Sequence, residues 1–167
     1  MTHAETVAAT PPVILIFGDS LSAAHGIAVA EGWVALLSSR LKAQAYPHQV
    51  INESISGETS GGGLVRFPKI LETHKPRVVV LELGANDGLR ALSLQEMRNN
   101  LSKMIELSQQ AGAKVLLLGM KIPPNYGKNY TEGFQQSFQQ LAIKYQVSFV
   151  PFFLEGVAGN PSLVLSD

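Results

Sequence analysis

At 167 residues the chain has room for one packed domain and is too short for two ordinary ones. Hydrophobic residues make up 46% and charged residues 16%, which excludes a disordered chain; thirteen basic against thirteen acidic side chains, with no basic tract, remove bulk electrostatics as an argument for nucleic acid or an anionic membrane. With no cysteine there are no disulfides, thiolate metal sites or cysteine nucleophile, and no apolar run approaches the roughly 20 residues of a spanning helix, so stable membrane insertion is not expected.

Met1 to Pro12 has no charged region leading into an apolar core, so it reads as a loose leader or a processed N-terminus before a domain over 13–167. Val13 to Phe17 has the length and composition of a strand buried in a parallel sheet. Gly18, Asp19 and Ser20 end it, and Ser20 is expected where strand gives way to helix, beside exposed N–H groups that suit a nucleophile whose attack creates an oxyanion. The plainer alternative is that Asp19 or Ser20 only caps that helix.

Trp33, Leu36, Leu37 and Leu41 recur at helical spacing and predict one buried face. Gln49 to Asn52 is a short second strand. Glu53 to Gly63 carries Gly57, Gly61, Gly62 and Gly63 and reads as a loop whose backbone comes close to something. A helix through Leu64, Phe67, Ile70 and Leu71 follows, ended by Pro76. Arg77 to Leu83 is a third strand broken only by Glu82, a lone acid that burial would oblige to find hydrogen-bond partners. After Gly84 to Gly88, Ser93 and Glu96 form a capping box, and Leu94, Met97, Leu101, Met104, Ile105 and Ser108 trace a helix face stopped by Gly112. Lys114 to Gly119 is a fourth strand, Pro123 to Gly127 a loop, Phe134 to Tyr145 a helix face and Val147 to Val150 a fifth strand. Pro151 to Asp167 reads as irregular.

Strands alternating with helices predict a three-layer α/β fold on a five-stranded parallel sheet. Ligands bind at the carboxyl edge of such a sheet, and Ser20, Gly57 and Asn86 each stand just past a different strand. Together they suit acyl transfer: Ser20 as nucleophile, with its own N–H, the Gly57 N–H and the Asn86 carboxamide as oxyanion donors. Asp19 and Leu21 flank the nucleophile on the substrate-binding surface; Asp19 and Asp87 also suit turn bracing, and Glu58 the start of the next helix. No metal cluster or dinucleotide glycine spacing is visible, so no cofactor is expected.

Gly18-Asp19-Ser20-Leu21-Ser22, Gly57, Gly84-Ala85-Asn86-Asp87 and Asn125-Tyr126-Gly127 resemble the blocks of the GDSL, or SGNH, hydrolases. Asn52 to Gly62 and Glu82 to Arg90 are most similar to the bacterial thioesterase I, lysophospholipase and arylesterase branch, and the resemblance runs from about Ile14 to Asp167. It implies a flavodoxin-like fold, a Ser-His-Asp triad and an oxyanion hole of Ser20, Gly57 and Asn86. It also implies small-molecule acyl esters and thioesters as substrates, with a periplasmic or secreted location. The Gly88 to Leu92 loop, with Leu89 and Leu92, would line one side of the acyl chain, and Ile122, Pro123 and Tyr126 the other. A carbohydrate acetylesterase on the same fold and a non-catalytic acyl- or lipid-binding fragment are the rival readings.

The family's last block is Asp-x-x-His. Asp167 matches its aspartate, which puts the histidine three positions beyond the last residue and the family's final helix beyond that. The resemblance thus implies a chain cut inside the catalytic block, with its C-terminal helix missing, inactive or nearly so. Losing a triad base costs roughly 10³–10⁶-fold while leaving binding intact. His3 falls in the leader, His48 and His74 in connections expected at the surface of the opposite sheet edge. His25, five residues past Ser20, is the one histidine near the expected edge.

Overall fold

Apolar runs with no polar alternation are stable only when both faces are covered. In the computed structural model, which describes residues 9–164, such runs form β1 (Val13–Gly18), β2 (Gln49–Asn52), β3 (Val78–Glu82), β4 (Lys114–Leu118) and β5 (Ser148–Val150). All pairings are parallel, in the order β2-β1-β3-β4-β5. The connections supply α1 (Trp33–Ala43), α2 (Ser60–His74), α3 (Ala85–Leu89), α4 (Leu94–Gln110) and α5 (Lys128–Tyr145), with 3-10 turns at Val29–Glu31 and Pro124–Tyr126.

Alternate residues of each strand face opposite layers. Leu15, Phe17, Val79, Leu81, Val115 and Leu117 pack against Phe67 and Leu71 of α2, Met97 to Ile105 of α4, and Phe134 and Phe138 of α5. Ile16, Val80 and Leu118 face the other way, under Val34, Trp33 and Leu37 of α1 and Phe153. This is the expected three-layer, flavodoxin-like arrangement. Because β2 and β3 lie on opposite sides of β1, the chain leaves β1 and β3 in opposite directions and opens a crevice between their carboxyl ends.

Three local expectations are corrected. No helix follows Ser20 directly: residues 20–26 are successive turns, with Ala24 left-handed at φ 56°, so neither Asp19 nor Ser20 caps a helix. The glycine run is not loop throughout. Thr59 caps α2 by accepting the Gly62 N–H at 3.2 Å, so Gly61 to Gly63 are its first turn. A Cβ on Gly63 would stand 2.7 Å from Leu83 Cδ1, and its bareness lets α2 press onto the sheet. On α1, Leu36 is exposed and Val34 takes the core position. Asp167 and the end of the last block lie outside the described residues, as does the leader up to residue 8.

Candidate active site

The turn after β1 is set by one side chain. Asp19 Oδ1 accepts the Leu21 N–H at 3.1 Å, while the Ala23 N–H donates to Asp19 O at 2.9 Å and the His25 N–H to Ser20 O at 3.1 Å. Asx bonding of this kind replaces helical bonding. It leaves Ser20 half-buried at the crevice. Ser20 borders two hollows. One, of about 240 Å³, is lined by Asp19, Ser20, Leu21, Asn86, Leu89 and Ile122, with Ala85, Met120, Lys121 and Leu154. The other, of about 430 Å³, runs past His25 and Ile27 to Leu154 and Val164.

The second segment is laced to the first. The Ile55 N–H donates to Gly18 O at 3.0 Å, bringing the turn through Gly57, left-handed at φ 79°, beside the end of β1. The third joins both. Gly84, at φ 117°, turns the chain sharply off β3; a Cβ there would meet Phe138 Cζ at 3.0 Å. This swings Asn86 back over the crevice. Its Nδ2 donates to Glu58 O at 3.0 Å and to Asp19 Oδ2 at 3.2 Å, and Arg90 Nη2 donates to Gly57 O at 3.0 Å. Neither the Ser20 nor the Gly57 N–H meets an acceptor among the described residues. Asp87, nearly fully buried, anchors the arrangement by accepting the Ser60 N–H at 2.8 Å and the Ser60 hydroxyl at 2.6 Å. The helix-start charge suits that carboxylate.

Beneath Ser20 lies a carboxyl pair. The β1–β3 register sets Gly18 opposite Glu82, which has no solvent exposure. Glu82 Oε2 accepts the Ser22 hydroxyl at 2.6 Å and the Asp19 N–H at 3.3 Å, while Oε1 has no hydrogen-bond donor. Burial raises the pKa of both carboxyls, and for Glu82 the charge of Asp19 adds to it, pushing Glu82 up to about 8. At neutral pH the pair therefore holds one proton between them.

Among the other sequence-predicted residues, Gly88 is buried against Phe134 and Ile122, where a Cβ would stand 2.6 Å from Phe134 Cε2. Tyr126 donates its hydroxyl to Leu89 O at 2.7 Å, tying one proposed wall to the other. Gly57, Leu92, Pro123 and Tyr126 stand outside the lining of the smaller hollow. His25 Nδ1 lies 3.4 Å from Ser56 Oγ. His74 Nε2 is 2.7 Å from Glu53 Oε1, and both His48 and His74 are half-buried rather than surface residues. Met120 and Leu154, which line the smaller hollow, were missed by sequence reasoning. Each follows the end of a strand, the signal that singled out Ser20 and Asn86. Among the described residues no three His, Asp or Glu side chains group to hold a metal ion.

The family described as GDSL-like Lipase/Acylhydrolase matches residues 16–167. The chain is 46% identical over 162 residues to Esterase TesA of Pseudomonas aeruginosa, spanning 97% of this chain and 81% of that protein. It is 39% identical over 160 residues to Thioesterase 1/protease 1/lysophospholipase L1 of Escherichia coli, spanning 96% of this chain and 76% of the relative. Among solved structures, AlinE4, an SGNH-hydrolase family esterase, superposes with a TM-score of 0.90 at 41% identity, covering 96% of this chain and 86% of that one.

Proposed function

From the premise that the chain belongs to the GDSL-like lipase/acylhydrolase family and is an ester and thioester hydrolase of it, we propose that Ser20 is the nucleophile and forms an acyl-enzyme. The Ser20 and Gly57 N–H groups and the Asn86 carboxamide are the oxyanion donors. The observation that carries the reading is the lacing of three strand ends around Ser20: Ile55 to Gly18, Asn86 to Glu58 and Arg90 to Gly57. Two free main-chain donors beside a half-buried hydroxyl are what a tetrahedral oxyanion requires. Asp19 braces this turn at the edge of the substrate surface.

The acyl group enters the smaller hollow, where Leu21, Leu89, Met120, Ile122 and Leu154 offer apolar walls. Leu92, Pro123 and Tyr126 extend those walls, and Gly88 supports them from below. Lysophospholipid and aryl ester substrates fit this reading, as does a periplasmic or secreted location. No helix of the described residues is long and apolar enough to cross a membrane. Asp167 takes the place of the orienting carboxylate in the family's last block. His25 is turned to Ser56 and is not assigned as the base.

The test is covalent labelling with a serine-reactive organophosphonate, followed by peptide mass mapping. The parent chain should be labelled at Ser20, and Ser20→Ala not at all. No labelling at Ser20 would overturn the nucleophile assignment and favour a binding-only protein.

A further inference from the structure

Asn86 carries a difficulty for its own assignment. A carboxamide nitrogen has two hydrogens. One is held by Glu58 O at 3.0 Å and the other by Asp19 Oδ2 at 3.2 Å. An oxyanion at Ser20 can take a hydrogen bond from Asn86 only if one of these contacts opens or is shared, and the longer one, to Asp19, is the weaker. What controls that contact is what lies behind Asp19.

We infer that Glu82 is a positioning residue: by donating a hydrogen bond to the Asp19 carboxylate, it sets how firmly Asp19 holds the Asn86 amide and so how readily that amide turns to an oxyanion. The inference rests on the oxyanion role given to Asn86 above. Glu82 Oε2 is already occupied by the Ser22 hydroxyl and the Asp19 N–H, whereas buried Oε1 has no donor. A bare carboxylate oxygen without solvent is costly, and a proton placed on Oε1 removes that cost. Glu82 and Asp19 meet at the Asp19 N–H, 3.3 Å from Oε2, and their carboxyls hydrogen-bond, so a proton on Glu82 is shared with Asp19.

With Glu82 protonated, the Asp19 charge is shared between the Glu82 O–H, the Leu21 N–H and Asn86. When the proton leaves, two buried carboxylates face each other, and among the described residues Asn86 becomes the only side-chain donor left to Asp19. Its grip on the amide then tightens. Other charged groups nearby are directed elsewhere. Asp87 on α3 is bound to Ser60, Glu58 ahead of α2 is paired with Arg66 at 2.7 Å, and β4 presents Leu117 and Leu118 at this level. Among the described residues, Asp19 is thus the charged group that acts on Glu82.

The test is an NMR titration of the Asn86 side-chain amide, identified by the loss of its signals in Asn86→Ala. In the unmodified chain its protons should move downfield along one curve centred near pH 8, as the Asp19 bond tightens. In Glu82→Gln, whose carboxamide donates permanently to Asp19, they should stay in place. Should Glu82→Gln fail to fold, Asp19→Asn serves instead, with the same expected loss of movement. Asn86 signals that stay fixed between about pH 6 and pH 9.5, or that move equally in the variant, would overturn the inference. The two readings fail separately. Unlabelled Ser20 with a titrating Asn86 would sink the nucleophile assignment alone, and labelled Ser20 with a fixed Asn86 would sink this one alone.

Discussion

Asn86 is two residues past a left-handed glycine, on a helix of five residues, and every feature around it serves to aim one carboxamide. A neutral donor of this kind is worth ~3–4 kcal/mol of barrier in a comparable hydrolase site. Replacing Asn86 by alanine should therefore slow phosphonate labelling of Ser20 by ~10²–10³-fold. The loss should appear in the labelling rate while the thermal midpoint moves only a few degrees, because the lost contacts are partly exposed. A labelling rate unchanged in Asn86→Ala would remove this residue from the oxyanion site. At this scale the sequence was legible wherever a polar residue stood just past a strand. It was silent on Asn86 being shared between Asp19 and Glu58, because those partners are 67 and 28 residues away along the chain.

At the scale of elements, the crevice depends on how α2 and α3 are joined. The Asp87 carboxylate takes both the N–H and the hydroxyl of Ser60 at the start of α2, and Asn100 of α4 donates to that same hydroxyl at 3.1 Å. Deleting a buried acceptor of two donors leaves both unsatisfied. Asp87→Ala should cost ~2–4 kcal/mol of unfolding free energy in urea, with a larger loss than Asp87→Asn, which keeps one acceptor. A variant as stable as the parent would show that the short helix is held by packing alone. The Asp87 side chain was read from sequence as a turn brace, whereas its carboxylate ties α3 to the start of α2, 27 residues away. Its partner could not be read, because Ser60 lies in a glycine-rich stretch that looks like loop until Thr59 is seen to cap it.

At the scale of the whole molecule, the buried carboxyl pair links folding to pH. Glu82 in the unfolded chain titrates near 4.5 and in the folded protein near 8, so between those values the folded state binds the extra proton. Stability from this group is complete below pH 4.5 and is lost as pH rises towards 8, with a limiting slope of about 1.4 kcal/mol per pH unit for one proton. Thermal midpoints should fall across that window in the parent chain and fall less in Glu82→Gln. Equal slopes in the two proteins would mean that Glu82 is charged throughout.

Local chemistry determined the strands, the parallel sheet, the helix faces and the three polar strand ends. Those follow from residue spacing and from the need to bury apolar runs, which act over a few neighbours. Tertiary structure alone decided that Val34, not Leu36, enters the core. It also decided that Glu82 lies under the nucleophile's turn with one oxygen bare. Each of those outcomes depends on groups brought together from distant parts of the chain by the switch point between β1 and β3. No local pattern carries that information, because the energy of a buried polar contact belongs to the pair and not to either residue.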